Sequence, residues 1–537
     1  MPPRPLSIQQ KIRTSSAKFT VACVISLVAL LGTASQSLAE SLSFYIRQYK
    51  VEGAKKLTKL EIEEAVYPYL GPGRTPDDVE QARQSLEKAH HQKGYQTVSV
   101  SIPQQDPRRG IIRLEVSQGA VARLRVKGAR WFLPSEIRKA VPSVAEGTTP
   151  NLNQFTKEII AVNRLADRRV TPELRPGMEP GTVDIDLTVE DKLPLHGSLE
   201  LNNRYSADTT ELRVNGALTY GNLFQKGHVI GGNIQVAPEN PDDALIYSAF
   251  YMARVAEKTS LMLNGTKQNS KINTVGGATV GAPGEIVGLR AMFDLPTKEK
   301  FFQTANIGID YKNLEEDIMI GKDTISSPIE YYPLTAGYSA SCNYDKHYTE
   351  FNASVNMQLR GMGSDAEEYA NKRYSSRGNF ITLRTDASHT HDLPGGAQVF
   401  AKVQGQAANQ ALISSEQFSG GGLGTVRGYL EATTTGDHAI FGSIELRSPS
   451  IIGKSSVSLS QPNEWRIYAF ADAGMTHLID ALPGQEARPH LYSVGVGSRI
   501  KVKNHYHASV DAGVPLSEQT NAEDNDVRIT FRGWADF

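Results

Sequence analysis

The chain has 537 residues, enough for two or three domains, and its 57 basic and 58 acidic residues nearly balance. This balance excludes the strongly basic surface expected of a nucleic-acid-binding protein. The mean hydropathy of −0.35 is that of a secreted soluble protein. An average does not reveal alternating patterns, however, so the class has to be decided along the chain.

The first 39 residues have the pattern of a secretory signal peptide. Basic residues precede an apolar run from Phe19 to Leu31, and small residues up to Ala39 follow it. The run of about a dozen residues is shorter than the roughly 20 that a membrane-spanning helix needs. We therefore expect cleavage after Ala39. Cys23 is lost with this segment, so the mature chain keeps only Cys342 and no intrachain disulfide is expected.

The next part of the chain contains a repeat. Val-Glu-Gly-Ala at 51–54 recurs as Val-Lys-Gly-Ala at 126–129, and Thr-Pro at 75–76 recurs at 149–150, so the offsets are 75 and 74 residues. Each copy predicts a strand, two helices and two strands. We expect a first module at 40–118 and a second at 119–191. Two readings stay open: plain structural modules, or domains whose exposed sheet edge accepts an extended peptide.

Within the first module, Thr58 and Glu61 form a capping-box pattern at the start of the first helix. The second helix is predicted to begin at Thr75 and to end near Gly94. It carries an apolar stripe at helical spacing, and the closing strands of both modules alternate apolar and polar residues, which predicts one buried and one solvated face. The apolar positions are Val79, Ala82 and Leu86 in the helix, Val98, Val100, Ile102, Ile112, Leu114 and Val116 in the first module's strands, and Val183, Ile185, Leu187 and Val189 in the second's, opposed there by Asp184, Asp186, Thr188 and Glu190.

From residue 192 to the C-terminus, helical spacing gives way to short alternating runs separated by Gly, Asn, Asp and Pro. The last run, from Arg528 onward, ends the chain on an aromatic residue, Phe537. At about 10 residues per strand, with turns and longer loops, the segment 192–537 has room for about 16 strands. A closed antiparallel barrel in a membrane fits this pattern, because closure removes unpaired strand edges.

Two motifs stand out in this segment. A glycine cluster at 420–422 precedes Val-Arg-Gly-Tyr at 426–429, and Phe-x-Asp-x-Gly occupies 470–474. Alternation from Trp465 onward places Asp472 on the polar face of its strand, toward the barrel interior. A carboxylate shielded from bulk water is best satisfied by a cation.

These motifs, with the paired modules, resemble the two-partner secretion transporters of the hemolysin secretion/activation and filamentous hemagglutinin transporter type, whose relatives are barrel assembly factors. The resemblance covers nearly the whole mature chain. It implies two polypeptide-transport-associated (POTRA) domains, that is α+β periplasmic modules, followed by a 16-stranded antiparallel outer-membrane β-barrel with a pore loop at 418–437. The implied pore-loop residues are Val426, Arg427, Gly428 and Tyr429, facing Phe470, Asp472 and Gly474 on the lumen wall, and the terminal Phe537 resembles the signal read by the barrel assembly machinery.

The resemblance implies export, without cofactor or catalysis, of a secreted partner exoprotein captured in extended form. The expected surroundings are outer-membrane lipids and, during biogenesis, the assembly machinery. An assembly factor or insertase is the alternative, although such proteins typically carry more modules, and a passive porin is the alternative from another class. In one respect the chain departs from the pattern, since a strand near Leu42 is predicted where such transporters often have a plug helix.

Other candidate sites are weaker. The glycine cluster lacks the Lys-Ser/Thr of a phosphate-binding loop. His389 and His391, and likewise His505 and His507, share a strand face as metal ligands do, but no Cys or carboxylate spacing completes a site, so we expect pore-lining or turn histidines. No nucleophile, base and orienting group are spaced as in an enzyme.

Overall fold

The computed structural model describes residues 43–270, 273–275, 278–280, 283–320, 323–452, 463–519 and 526–537. The expected signal peptide lies outside these residues. The chain divides into two compact units. The first combines residues up to Lys127 with Ile137–Arg164 and Val170–Thr188, and the second combines Gly128–Glu136, Leu165–Arg169 and Val189–Phe537.

The first module is a small sheet with two helices. Its elements are β1 (Phe44–Ile46), β2 (Gln48–Glu52), α1 (Lys59–Val66), β3 (Gly71–Arg74), α2 (Pro76–Gln92), β4 (Val98–Ser101) and β5 (Ile111–Gln118). The sheet has the order β2-β5-β4, with β2 parallel and β4 antiparallel to β5, and β1 pairs separately with β3. Both β2 and β4 are therefore edge strands.

The helix starts predicted for this module are confirmed. Thr58 caps α1 in a capping box with Glu61, and Thr75 caps α2 in another with Asp78. The predicted stripe of α2 is buried, and the apolar residues of β4 and β5 join it in one core, with Ile102 as the exception. Ile102 is 38% exposed because β4 ends at Ser101 and the chain leaves the sheet there.

The second module repeats the order of β2, α1, α2, β4 and β5 with β6 (Ala120–Lys127), α3 (Pro134–Lys139), α4 (Leu152–Val162), β7 (Arg168–Pro176) and β8 (Thr182–Asp191). Its sheet has the order β6-β8-β7. The prediction of a solvated face on β8 is wrong at two positions. Asp184 and Asp186 are buried, because β6 runs parallel beside them and directs basic side chains onto the same face. The nitrogen–oxygen distances are 3.3 Å for Arg123–Asp184 and 2.7 Å for both Arg125–Asp186 and Lys127–Asp186.

The second unit contains the remaining strands and one helix. They are β9 (Leu195–Asn202), β10 (Arg213–Leu223), β11 (His228–Val236), β12 (Ala244–Ala256), β13 (Thr259–Ser270), β14 (Asn273–Val275), β15 (Ala278–Val280), β16 (Gly284–Asp294), β17 (Phe301–Ile320), β18 (Asp323–Tyr331), β19 (Leu334–Tyr344), β20 (His347–Met357), α5 (Ala366–Lys372), β21 (Ile381–Asp392), β22 (Gln398–Ala408), β23 (Phe418–Gly420), β24 (Thr434–Gly436), β25 (His438–Arg447), β26 (Glu464–His477), β27 (His490–Val502), β28 (Tyr506–Pro515) and β29 (Arg528–Asp536).

Most of these strands form one closed antiparallel barrel, in which β14, β15, β23 and β24 take no part. β18 and β19 pair with successive halves of β17, so together they make one wall strand interrupted at Tyr332 and Pro333. Counted in this way the wall has 16 strands, which confirms the predicted architecture. The barrel closes between β29 and β9, where Phe537 and Gly197 exchange backbone hydrogen bonds of 2.9 and 3.0 Å.

The outer face of the wall is apolar. Along β26, exposed and buried residues alternate from Trp465 to Asp472, as the sequence predicted. A barrel in lipid exposes every second side chain to the acyl chains, so this alternation is the membrane-facing pattern. The exposed apolar side chains include Leu199, Leu218, Ile230, Leu263, Leu289, Ile307, Val355, Leu383, Val403, Ile444, Ile467, Val496, Val510 and Ile529. Within the described part of the chain, no helix has both the length and the apolar content to span a membrane.

Candidate functional site: the pore loop and the module edges

The loop between β22 and β25 turns into the barrel. Its base is a short hairpin in which Phe418 pairs with Gly436 and Gly420 with Thr434. Beyond this base the backbone adopts the left-handed conformation at Gly421, with φ +106°, and at Gly428, with φ +94°. A Cβ atom at Gly421 would lie 2.3 Å from the carbonyl oxygen of Leu430, so glycine is required for the loop to fold this closely on itself.

Arg427 lies at the inner end of this loop, 6% exposed, and the structure brings it against Asp472. Its Nε and Nη2 atoms donate to the two carboxylate oxygens of Asp472, each at 2.8 Å, and its backbone N–H donates to Oδ2 at 3.0 Å. The guanidinium also lies over the ring of Phe470, 3.6 Å from the centroid. Such a two-pronged contact between guanidinium and carboxylate pairs the two charges and also fixes the orientation of the loop.

Two further carboxylates, which the sequence analysis did not identify, complete the surroundings of Arg427. Nη1 donates to Glu445 at 2.6 Å and lies 3.4 Å from Asp511, and both carboxylates are buried. Each also has a second partner, because Arg447 donates to Glu445 at 2.8 Å and the Tyr468 hydroxyl donates to Asp511 at 2.7 Å. The alternation along β25 and β28 places Glu445 and Asp511 on the lumen face of their strands. Nothing in the sequence, however, shows which lumen residues lie at the same depth in the barrel.

In the wall beside Arg427, large aromatic residues of one strand lie opposite glycines of the neighbouring strand. A Cβ atom at Gly495 would lie 2.3 Å from the ring of Phe470, and one at Gly497 would lie 2.4 Å from Tyr468. The Gly474 of the second motif has the same function, since a Cβ atom there would lie 2.0 Å from the ring of Phe441. These glycines therefore leave the space into which the lumen aromatics fold.

The neighbours of Arg427 in the first motif hold the loop against the wall. Val426 is fully buried with Tyr429 in a small apolar cluster. The Tyr429 hydroxyl donates to the backbone oxygens of Tyr492 and Ser517, at 3.0 and 2.8 Å. Gly428 lies against the backbone of β28. A Cβ atom added at Gly513 of that strand would lie only 2.7 Å from the backbone nitrogen of Gly428. The whole Val-Arg-Gly-Tyr segment thus packs on strands β25 to β28.

The limb that leads into the loop is fixed by a separate buried carboxylate. Glu416 is 3% exposed and accepts hydrogen bonds from Lys312 at 2.5 Å and from the Tyr331 hydroxyl at 2.8 Å. Cavities of about 570 and 460 Å³ remain in the lumen; Arg427 and Thr425 line the first, and Phe418 and Arg384 line the second. The loop therefore occupies part of the lumen and leaves open volume beside it.

The histidine pairs lie on different faces. His389 and His391 share the outer face of β21 with the exposed Leu383, so the pore-lining half of the expectation, pore-lining or turn histidines, is wrong for this pair. Their rings are 6.1 Å apart and nearly parallel, at 15°, so the ring nitrogens do not converge on one point. His507 does face the lumen, stacked on Trp534 at 4.6 Å. The part of the chain that the structure describes contains no His, Cys, Asp or Glu group that could hold a metal ion.

The two edge strands of the first module differ in accessibility. On β4, side chains of α2 occupy the outer backbone groups: Glu87 accepts from the Val100 N–H at 3.0 Å, Arg83 donates to the Val100 carbonyl at 3.1 Å, and His91 lies 3.0 Å from the Val98 carbonyl. On β2, the Gln48 N–H donates to the carbonyl oxygen of Gly110, which directly precedes β5. Because every second residue of a strand points its backbone groups toward the same neighbour, Tyr49 and Val51 point theirs away from β5. Among the described residues of this module, the β2 edge is therefore open to pairing and the β4 edge is not.

Similar proteins agree with this architecture. The ShlB-type POTRA domain family matches residues 44–119, and the family of haemolysin secretion/activation proteins ShlB/FhaC/HecB matches residues 290–500. The chain is 23% identical over 414 residues to the outer membrane transporter CdiB of Dickeya dadantii (strain 3937), covering 75% of this chain and 72% of that protein. It is 20% identical over 512 residues to the heme/hemopexin transporter protein HuxB of Haemophilus influenzae, covering 90% of this chain and 86% of HuxB.

Two solved structures share the fold. CdiB from Escherichia coli has a TM-score of 0.58 at 19% identity and covers 95% of this chain and 93% of its own. BamA from Haemophilus ducreyi lacking POTRA domains 1–3 has a TM-score of 0.57 at 13% identity, with 92% and 99% covered. Fold, motif and matches together define an outer-membrane β-barrel with an N-terminal POTRA domain in the periplasm. The two family models and the curated relatives support a two-partner secretion transporter of the haemolysin secretion/activation type.

Proposed function

We propose that this transporter captures its partner exoprotein in extended form with two periplasmic POTRA domains, 40–118 and 119–191, and passes it through the barrel, 192–537. The pore loop, 418–437, closes the passage at rest. The observation that carries the proposal is the position of Arg427, at the tip of a loop inside the barrel and paired with a wall carboxylate. The passage requires no covalent chemistry from the chain, and we expect partner folding outside the cell to drive export.

The open β2 edge of the first domain supports capture by strand addition. A peptide strand paired there would hydrogen-bond to the outward backbone groups of Tyr49 and Val51, and main-chain hydrogen bonds would give most of the affinity. In the same domain Leu60 of α1 is 64% exposed, and Tyr67, which directly follows α1, is 55% exposed. Exposed apolar side chains of this size are available for contact with a bound polypeptide.

Phe537 supports a proposal about biogenesis. Its backbone completes the β29–β9 closure, and its ring lies where a Cβ atom at Gly197 would be only 2.2 Å away. We propose that the assembly machinery reads this terminal aromatic residue before closure, and that outer-membrane lipids then cover the apolar wall.

Insertion of other barrel proteins is the second candidate, and the fold shared with BamA favours keeping it. The deciding experiment expresses the chain with a secreted protein encoded beside its gene, in cells that lack both. Transport predicts that the partner reaches the medium only when the chain is present, while the levels of other outer-membrane barrels are unchanged. Unchanged secretion without the chain, or a general loss of outer-membrane barrels, would contradict the transporter proposal.

A further inference from the structure

A further, largely buried ion pair joins the base of the pore loop to a different loop of the barrel. Asp437 directly follows β24 and is fully buried. Its carboxylate accepts the backbone N–H groups of Leu412 at 2.9 Å and Ile479 at 2.7 Å. The guanidinium of Arg373 donates to both of its oxygens, with Nη2 at 2.9 Å from Oδ2, and neither sequence motif contains this pair.

Arg373 belongs to the long loop between β20 and β21, where it caps the C-terminus of α5. The same loop buries Tyr369 and Phe380 against Leu412 and Ile413 of the pore loop's entering limb and against Tyr331 of the wall. Arg373 also donates to the carbonyl oxygens of Leu412 and Ile479, at 2.6 and 3.0 Å. Because β9 follows the periplasmic domains directly and the wall strands alternate in direction, the β20–β21 loop is on the external side of the barrel.

The chemistry of this contact suits reversible opening. A buried ion pair loses hydration on forming, so its net contribution to the closed state is small compared with the strength of the contact itself. Both charges recover their hydration when they separate into water. The backbone N–H of Asp437 donates to the His477 carbonyl of β26 at 3.0 Å, but the side-chain pair itself is no part of the backbone ladder. Its rupture therefore leaves the hydrogen-bond ladder of the barrel intact.

We infer that Arg373 and Asp437 form an outer latch, which holds the β20–β21 loop over the base of the pore loop and acts in series with the inner contact of Arg427 and Asp472. Arg373 is a positioning residue, because it acts on the pore loop through Asp437. The inference rests on the proposed function of the pore loop. In a passage closed at two successive points, an exiting polypeptide has to displace both.

The test measures ion conductance of the purified full-length protein in planar lipid bilayers. The variants are Arg373→Ala, Arg427→Ala, the double variant, and Arg377→Ala as the matched control, since Arg377 is an exposed residue of the same loop. We expect Arg373→Ala to raise the open probability about tenfold over wild type and control. Two independent closures in series predict that the increase in the double variant is the product of the two single increases.

A purely structural contact would lower the temperature of barrel unfolding and leave conductance unchanged, and this result would overturn the latch. So would a double variant that opens no more than Arg427→Ala alone. Asp437→Asn, which keeps the side-chain volume, and Arg373→Lys, which keeps the charge without the two-pronged contact, are expected to open the pore to intermediate degrees. Conductance is measured without any partner protein, so it tests the latch independently of secretion. A failure of secretion would count against the proposed function, whereas the latch is decided by the conductance of the variants alone.

Discussion

Replacement of Arg427 by alanine is the perturbation for which the structure gives the sharpest expectation. Asp472 would keep one hydrogen bond, from the backbone N–H at position 427, and lose both side-chain donors, so a carboxylate would stay buried without its cation. Breaking a buried pair in this way costs about 3–5 kcal/mol. Glu445 and Asp511 would lose less, because Arg447 and Tyr468 continue to contact them.

The reverse substitution should be milder. In Asp472→Ala, Arg427 keeps Glu445 as a partner and lies near Asp511, so we expect a loss of about 1.5–3 kcal/mol, the range for hydrogen bonds to charged groups. The double variant should cost clearly less than the sum of the two single variants, because no charge is then stranded. Arg427→Lys, which keeps the charge and loses the fork, should lie between wild type and alanine.

The assay is denaturant unfolding of the barrel reconstituted in lipid vesicles, combined with secretion of the partner. Arg499→Ala is the control, because this exposed arginine lies over the Tyr468 ring at 5.2 Å and should cost about 1 kcal/mol or less. We expect Arg427→Ala to insert and to lose most secretion. Strictly additive losses for the Arg427 and Asp472 variants, in both stability and secretion, would refute the reasoning.

Three further predictions concern other parts of the chain. Deletion of Phe537 should reduce the amount of folded barrel, seen as heat-modifiable migration in the outer-membrane fraction, whereas Phe537→Trp should restore it; normal folding without Phe537 would contradict its assembly role. The full-length protein is expected to bind an extended partner peptide with a Kd of about 1 μM, or about 8 kcal/mol. Val51→Pro, which removes an outward N–H of β2, should weaken this binding, whereas the control Val51→Thr should not. Equal affinities of the two variants by calorimetry would exclude the β2 edge as the binding site. Burial lowers the pKa of His90, whose Nδ1 lies 2.9 Å from the Leu86 carbonyl while Nε2 has no hydrogen-bond partner among the described residues. The unfolded chain therefore takes up the proton first, so the stability of the first domain should be complete above about pH 6.5 and fall below it. The protection factors of the α2 amides, which are corrected for the pH dependence of intrinsic exchange, should then fall at pH 5 in wild type but not in His90→Leu, and an equal fall in both would contradict the assignment.

Local patterns predicted the fold well where the cause was local. The capping box of Thr58 and Glu61 involves residues three apart and formed as predicted, and the helix predicted to start at Thr75 does so, there with Asp78 completing a second box. The alternation along β26 likewise predicted which side chains point outward and which point into the lumen. Successive side chains of a strand point to opposite faces whatever its register with the neighbouring strands. The 16-stranded count followed from segment length and the resemblance together.

Contacts between distant segments could not be read in the same way. Glu445 and Asp511 meet Arg427 because of the depth at which three strands place them, and that depth depends on strand register around the barrel. Arg373 and Asp437 are joined through two loops, whose paths no periodicity predicts. Asp184 and Asp186 resembled a solvated face until the parallel partner strand supplied its basic row.

The central claim, passage of the partner through the lumen, can be tested by site-specific photo-crosslinking during secretion. A photoreactive residue is placed at position 499, where Arg499 lines the 570 Å³ cavity beside the pore loop, or at position 496, where Val496 is 57% exposed on the outer face of the same strand. A third site is position 199, where Leu199 faces outward on β9 next to the closing strand β29. The account predicts crosslinks to the partner from position 499 and none from 496 or 199. Crosslinks from 199 without any from 499 would contradict it and indicate that substrates contact the closing seam instead of the lumen.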